Sequence, residues 1–222
     1  MGKSKDLATI SNVGNITTLK VDDIQTQAGA APTLGDLAIT GTGTVLQEIC
    51  GVCDGRTVSG ITFPNVTQEQ NATTTMTDMT GSEIAYTPPA GTTTVIYSLQ
   101  FCWGTTVNSG ISHWKFFIDG THVSIYDRTE AWAYSTTEHG VGVREFYFPI
   151  LIGQGDDIAN GKVNTWTSNK TMKLQYQEYD GSYQSRIHHR RYISQGTGGT
   201  GGSGGVGGNA IQRPILKLKA LA

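Results

Sequence analysis

A glycine run near the end of the chain limits what this sequence can fold into. Gly196 to Asn209 reads GTGGTGGSGGVGGN, and Ile211 to Leu221, IQRPILKLKAL, follows at once. Glycine-rich chain is a flexible coil without structure of its own. Apolar residues near a chain end fray unless something ties them down. Together these features predict that Pro214 to Ala220 is a strand returning to a sheet built from upstream residues. The run over 196–209 is then a loop inside one domain, 46–222, closed by a strand over 213–220. Long-range strand order of this kind points to an all-β sandwich.

The segment between about 46 and 195 carries the strand signals such a sandwich needs. Thr92 to Trp103 reads TTTVIYSLQFCW, and period-two alternation places Val95, Tyr97, Leu99, Phe101 and Trp103 on one face. Left on an open edge this segment would be an aggregation hazard, so a central position is expected. Ser112–Ile118 and Thr121–Tyr126 flank Asp119-Gly120, a two-residue hairpin signal. Val123 and Ile125 can there join Trp114, Phe116 and Ile118. Thr171–Tyr179 and Gln184–Ile193 flank Asp180-Gly181 and read as a second hairpin. Val143–Ile152 gathers Phe146, Phe148, Ile150 and Ile152 on one face. Further strands are expected at Thr44–Val52, Val58–Phe63 and Thr73–Tyr86. With roughly eight to ten strands at this spacing, a jelly roll fits best, because its last strand pairs far back in the sequence.

Composition narrows the function. Charged residues make up only 15% and the formal net charge is −2, so the basic excess of a nucleic-acid binder is missing. No run of 18 apolar residues suggests a membrane span, and MGKSKDLATISN lacks the apolar core of a signal peptide. Three cysteines make no disulfide framework, which suits synthesis in a reducing cytoplasm. Residues 1–45 contain no aromatic side chain and hold too little apolar surface to fold alone. They are expected to be disordered, to wrap on a partner or to intertwine with copies of themselves.

Short motifs carry a resemblance. TLKVDDIQTQAG, GTGTVLQE, SEIAYTPPAGTTTVIYSLQFCW and the terminal RPILKLKAL resemble structural proteins of marine tailed bacteriophages, of the fibre or spike type. The C-terminal body resembles the trimeric jelly rolls of tumour-necrosis-factor-like and complement-like domains. The resemblance implies a homotrimeric, non-enzymatic virion protein that is made in the host cytoplasm. It would be joined to head or tail proteins through residues 1–45 and contact the host cell surface. A capsid decoration or cement protein is the alternative, and a polysaccharide depolymerase a more distant one.

Candidate sites follow from residue type. Trp132, Tyr134, Trp166, Tyr179 and Tyr183 sit in predicted loops or beside turns, where aromatic rings can stack on a host-surface glycan. The competing role for each is packing. His188, His189, Arg190 and Arg191 form the one dense basic cluster, suited to an anionic partner surface or to charge on an edge strand. On a strand His188 and Arg190 would face one way, His189 and Arg191 the other. Cys50 and Cys53 form a C-x-x-C without the further ligands a zinc site needs, so buried or structural thiols are expected there. Glycoside cleavage needs two carboxylates at a fixed separation in a cleft, and no surrounding motif supports it. No cofactor, metal, nucleic acid or membrane insertion is expected.

Overall fold

The computed structural model describes residues 43–105, 110–131, 141–182, 185–189 and 211–222, all within the compact unit Gly41–Ala222. Among the described residues there is no α-helix. The chain runs through β1 (Val45–Val52), the short pieces β2 (Thr57–Val58), β3 (Ile61–Thr62), β4 (Gln70–Asn71) and β5 (Thr77–Asp78), then β6 (Ile84–Tyr86). The long β7 (Thr94–Thr105) and β8 (Ile111–Ile118) follow, then β9 (Thr121–His122), β10 (Arg128–Ala131) and β11 (Val141–Ile152). β12 (Lys162–Val163), β13 (Lys170–Glu178), β14 (Ser185–Ile187) and β15 (Ile215–Leu221) complete the order.

Two sheets result. The first runs β1-β15-β7-β11-β12, with β14 and β4 continuing from the far end of β7. The second runs β10-β8-β13-β5, with β6 also on β13 and β9 on β8. When β5 and β6 are taken as one strand and the other short pieces set aside, eight strands remain. In chain order the sheets then read first-eighth-third-sixth and second-seventh-fourth-fifth, which is the jelly roll. The closing strand predicted from the glycine run is β15, and it lies between β1 and β7. β7 is central, flanked by β15 and β11.

Alternation builds the core. Val95, Tyr97, Leu99, Phe101 and Trp103 of β7 are buried, as are Trp114, Phe116 and Ile118 of β8. Phe146, Phe148 and Ile150 of β11, Met172, Leu174 and Tyr176 of β13, and Leu216 and Leu218 of β15 join them. Burying each such side chain stabilises by about 1.5–3 kcal/mol. Aromatic stacking adds to this: Phe116 on Phe148 across the sheets at 4.4 Å between centroids, and Trp114 on Tyr176 between neighbouring strands of the second sheet at 5.0 Å. Gly51 belongs to this packing, because a Cβ there would come within 2.8 Å of the Phe63 ring.

Three expectations need correction. Asp180-Gly181 is not a hairpin: β13 belongs to the second sheet, while β14 pairs with β7 and β4 in the first. The turn carries the chain from one sheet to the other. The strand expected over Thr121–Tyr126 stops at His122 and becomes a 3-10 turn, Ser124–Tyr126. Val123 is buried as expected, but Ile125 is 57% exposed and does not join the β8 face. Of the strand expected over Gln184–Ile193, Ser185–Ile187 forms and ends where His188 takes φ +61°, a left-handed conformation that breaks alternation, while residues 190–193 lie outside the described residues.

Candidate functional site

The two outward faces differ in character. On the first sheet, strand register aligns Cys50, Lys217, Ser98 and Tyr147 in one row, and Ile215, Gln100 and Glu145 in the next. Four of the six large apolar side chains that stay exposed among the described residues lie on this face: Val45 (49%), Val143 (52%), Tyr147 (53%) and Ile215 (38%). Beside them Glu48 accepts hydrogen bonds from Lys217 at 3.1 Å and Lys219 at 2.9 Å. These two ammonium groups hold the Glu48 carboxyl below its usual range.

The outward face of the second sheet is polar and concave. Register aligns Gln177, His113 and Thr129 in one row and Asp78, Gln175 and Lys115 in the next. Between the rows lies a cavity of about 410 Å³, lined by His113, Lys115, Asp127, Thr129 and Gln177, with Met76 at its rim. His113 Nδ1 and Thr129 Oγ1 share a hydrogen bond of 2.8 Å, and Asp127 accepts one from His122 Nε2 at 2.5 Å. Trp114 also contributes to the wall, and its buried indole N–H has no acceptor. Arg128 is also part of the lining, with its guanidinium 4.5 Å from the centre of the Phe146 ring. The Tyr179 ring lies 6.3 Å from that of His113 and is 60% exposed.

Of the glycan candidates, Tyr179 is therefore at the surface, while Trp166 is buried. The Trp166 indole N–H donates to the Tyr86 carbonyl at 2.8 Å and its ring packs edge-on against Tyr86. Trp132, Tyr134 and Tyr183 lie outside the described residues, as do Arg190 and Arg191. The two histidines of the basic cluster do not alternate; both are buried. His188 Nε2 donates to the Thr80 carbonyl at 2.8 Å, its Nδ1 meets no partner, and burial pushes its pKa down to about 4. His189 Nδ1 donates to Glu69 at 2.5 Å, and Glu69 also takes a hydrogen bond from Arg186. In this half of the cluster, charge serves internal pairing.

The end of the sandwich beside β14 holds a buried polar cluster. Trp103 Nε1 donates to Ser112 Oγ at 3.3 Å, and Ser112 Oγ lies 2.6 Å from Ser185 Oγ. Glu178 is buried beside it, one carboxylate oxygen without a partner, and burial raises its pKa although the Ser185 amide opposes that. Cys50 and Cys53 are free thiols, and the Cys102 thiol donates to Gln212 Oε1 at 3.1 Å. Cys50 points outward and Cys53 inward, so the C-x-x-C does not converge on one point. Burial lifts the Cys53 thiol to about 12, which keeps it protonated and unreactive. Among the described residues no group of three or more His, Cys, Asp or Glu side chains could hold a metal ion. No helix there is long and apolar enough to cross a membrane.

The residues that line the groove were not among the sequence candidates, apart from Tyr179 at its edge. The available signal was the alternation itself: His113, Lys115 and Gln177 are the polar partners of core positions on β8 and β13. Comparison with known proteins gives little. No protein-family model matches the chain, and no curated protein does. Among solved structures, the chain is similar at 12% identity and a TM-score of 0.24 to one described as the structure of infectious bursal disease virus, Gx strain, over 72% of this chain. The Gt strain structure gives 12% identity and a TM-score of 0.21 over 70%. This chain spans 38% of the length of each of those chains.

Proposed function

We propose that this chain is a non-enzymatic virion structural protein, a homotrimeric jelly-roll appendage of fibre or spike type. It is joined to head or tail proteins through residues 1–45 and turned toward a glycan on the host surface. The observation that supports this most is the outward face of the first sheet, where Val143 and Tyr147 of β11, Ile215 of β15 and, farther along, Val45 of β1 are exposed. Single exposed apolar side chains need no explanation, but a shared face of them marks a contact surface. Copies related by a closed rotation bury such a face without leaving an open end. The short motifs of the sequence supply the virion setting.

Sedimentation of the full chain at micromolar concentration tests the assembly. The expected result is a trimer mass for the wild type and a monomer for the double variant Val143→Glu, Tyr147→Glu. A monomeric wild type overturns the reading. Electron microscopy of intact virions tests the setting: threefold spikes held at one end fit an appendage. Bodies lying flat across capsomer junctions would replace the host-contact role with that of a cement protein.

A further inference from the structure

We propose that the groove on the outward face of the second sheet is a binding site for an acidic sugar, a uronic acid within an oligosaccharide. The inference rests on the host-surface part of the proposed function and gives it a location and a ligand chemistry. The cavity of about 410 Å³ falls in the range of small-ligand sites, roughly 300–1,000 Å³. Its lining is mixed, with polar side chains beside Met76 and Trp114. Unused hydrogen-bonding groups converge on it. Lys115 has no ion pair and Gln177 no hydrogen bond among the described residues, and His113 commits only Nδ1, to Thr129.

Charge selects the ligand. Asp127 accepts a hydrogen bond from His122 and brings an acidic group to the groove's edge, while Lys115 is the outward-facing cation with no ion pair among the described residues. Arg128, the residue best shaped to grip a phosphate in two-point fashion, lays its guanidinium over the Phe146 ring instead. A single ammonium without a guanidinium fork matches a singly charged carboxylate better than a phosphate. Gln177 and His113 stand directly opposite each other on neighbouring strands, which suits adjacent hydroxyls of one pyranose ring. The exposed Tyr179 ring beside His113 offers the flat surface on which the C–H face of a sugar packs.

Isothermal titration calorimetry of the full chain with trigalacturonate, and with maltotriose as the neutral counterpart, tests the site. Trigalacturonate is expected to bind, less tightly as salt is added. Lys115→Ala should weaken it by about tenfold or more and Gln177→Ala by a smaller factor. Both side chains point outward, so thermal melting should be unchanged. Absence of trigalacturonate binding, equal binding of maltotriose, or binding that Lys115→Ala leaves intact would each overturn the proposal. The mass of every sample is measured alongside. A monomer that binds trigalacturonate would overturn the trimer and keep the groove, and a trimer that ignores it would do the reverse.

Discussion

At the scale of single residues, His188 shows most clearly how position overrides residue type. A basic cluster suggested a surface contact, yet its first imidazole is sealed in the sandwich with only the Thr80 carbonyl for a partner. Burial lowers its pKa from 6.5 to about 4, so the sign of its effect on stability follows. Above pH 6.5 the ring is neutral whether the chain is folded or not. Between pH 6.5 and 4 the unfolded chain binds a proton that the folded chain refuses, and stability falls by about 3 kcal/mol across that window. Glu178 acts in the opposite sense, since its raised pKa costs stability above its titration and returns it as the pH falls. Asp54, held down to about 2 by Arg56, matters only below its ordinary value of 3.8. Urea melts at pH 7, 5.5 and 4.5 should show the acid loss in the wild type. The loss should largely vanish in His188→Asn, which tolerates the left-handed backbone. An equal loss in that variant would assign the acid limb to other groups.

At the scale of elements, the two Asp-Gly pairs look alike in sequence and do different work. Asp119 and Gly120 both have positive φ, 47° and 76°, as a tight hairpin turn demands, and β8 and β9 pair across them. Gly181 has no such backbone and sits between strands of different sheets. Gly120→Ala should therefore cost about 1–2 kcal/mol, whereas Gly181→Ala should stay within about 0.5 kcal/mol, both read from chemical denaturation. Equal effects would contradict the distinction. The same contrast shows what was legible. Long strands with a one-sided core, such as β7, β8, β11, β13 and β15, were visible within a residue or two because alternation and burial agree. β4, β10 and β12 were missed because two to four residues carry no period. The jump from β13 to β14 was missed because turn chemistry reports local geometry, not the sheet that receives the next strand. The groove was hidden for a related reason: three strands supply it, and none of them marks it alone.

At the scale of the whole jelly roll, its two outward faces divide the work proposed for the chain, one apolar enough for self-contact and the other polar and hollowed. The β1–β15 ladder has a consequence of its own. The Gly43 amide donates to the Ala222 carbonyl at 2.7 Å, and the Ala222 amide donates to the Thr44 carbonyl at 2.9 Å. The two ends of the described body are therefore hydrogen-bonded neighbours, and closely placed ends tolerate rejoining. A permuted chain, with Ala222 linked to Gly43 by a few residues and new ends opened between Asp119 and Gly120, should fold to the same sandwich with cooperative melting. Loss of cooperative melting would show that the order of synthesis matters as well as the pairing. Whatever leads into Gly43 and anything grafted after Ala222 emerge side by side at one corner, so a passenger fused there would share its exit with the proposed anchor.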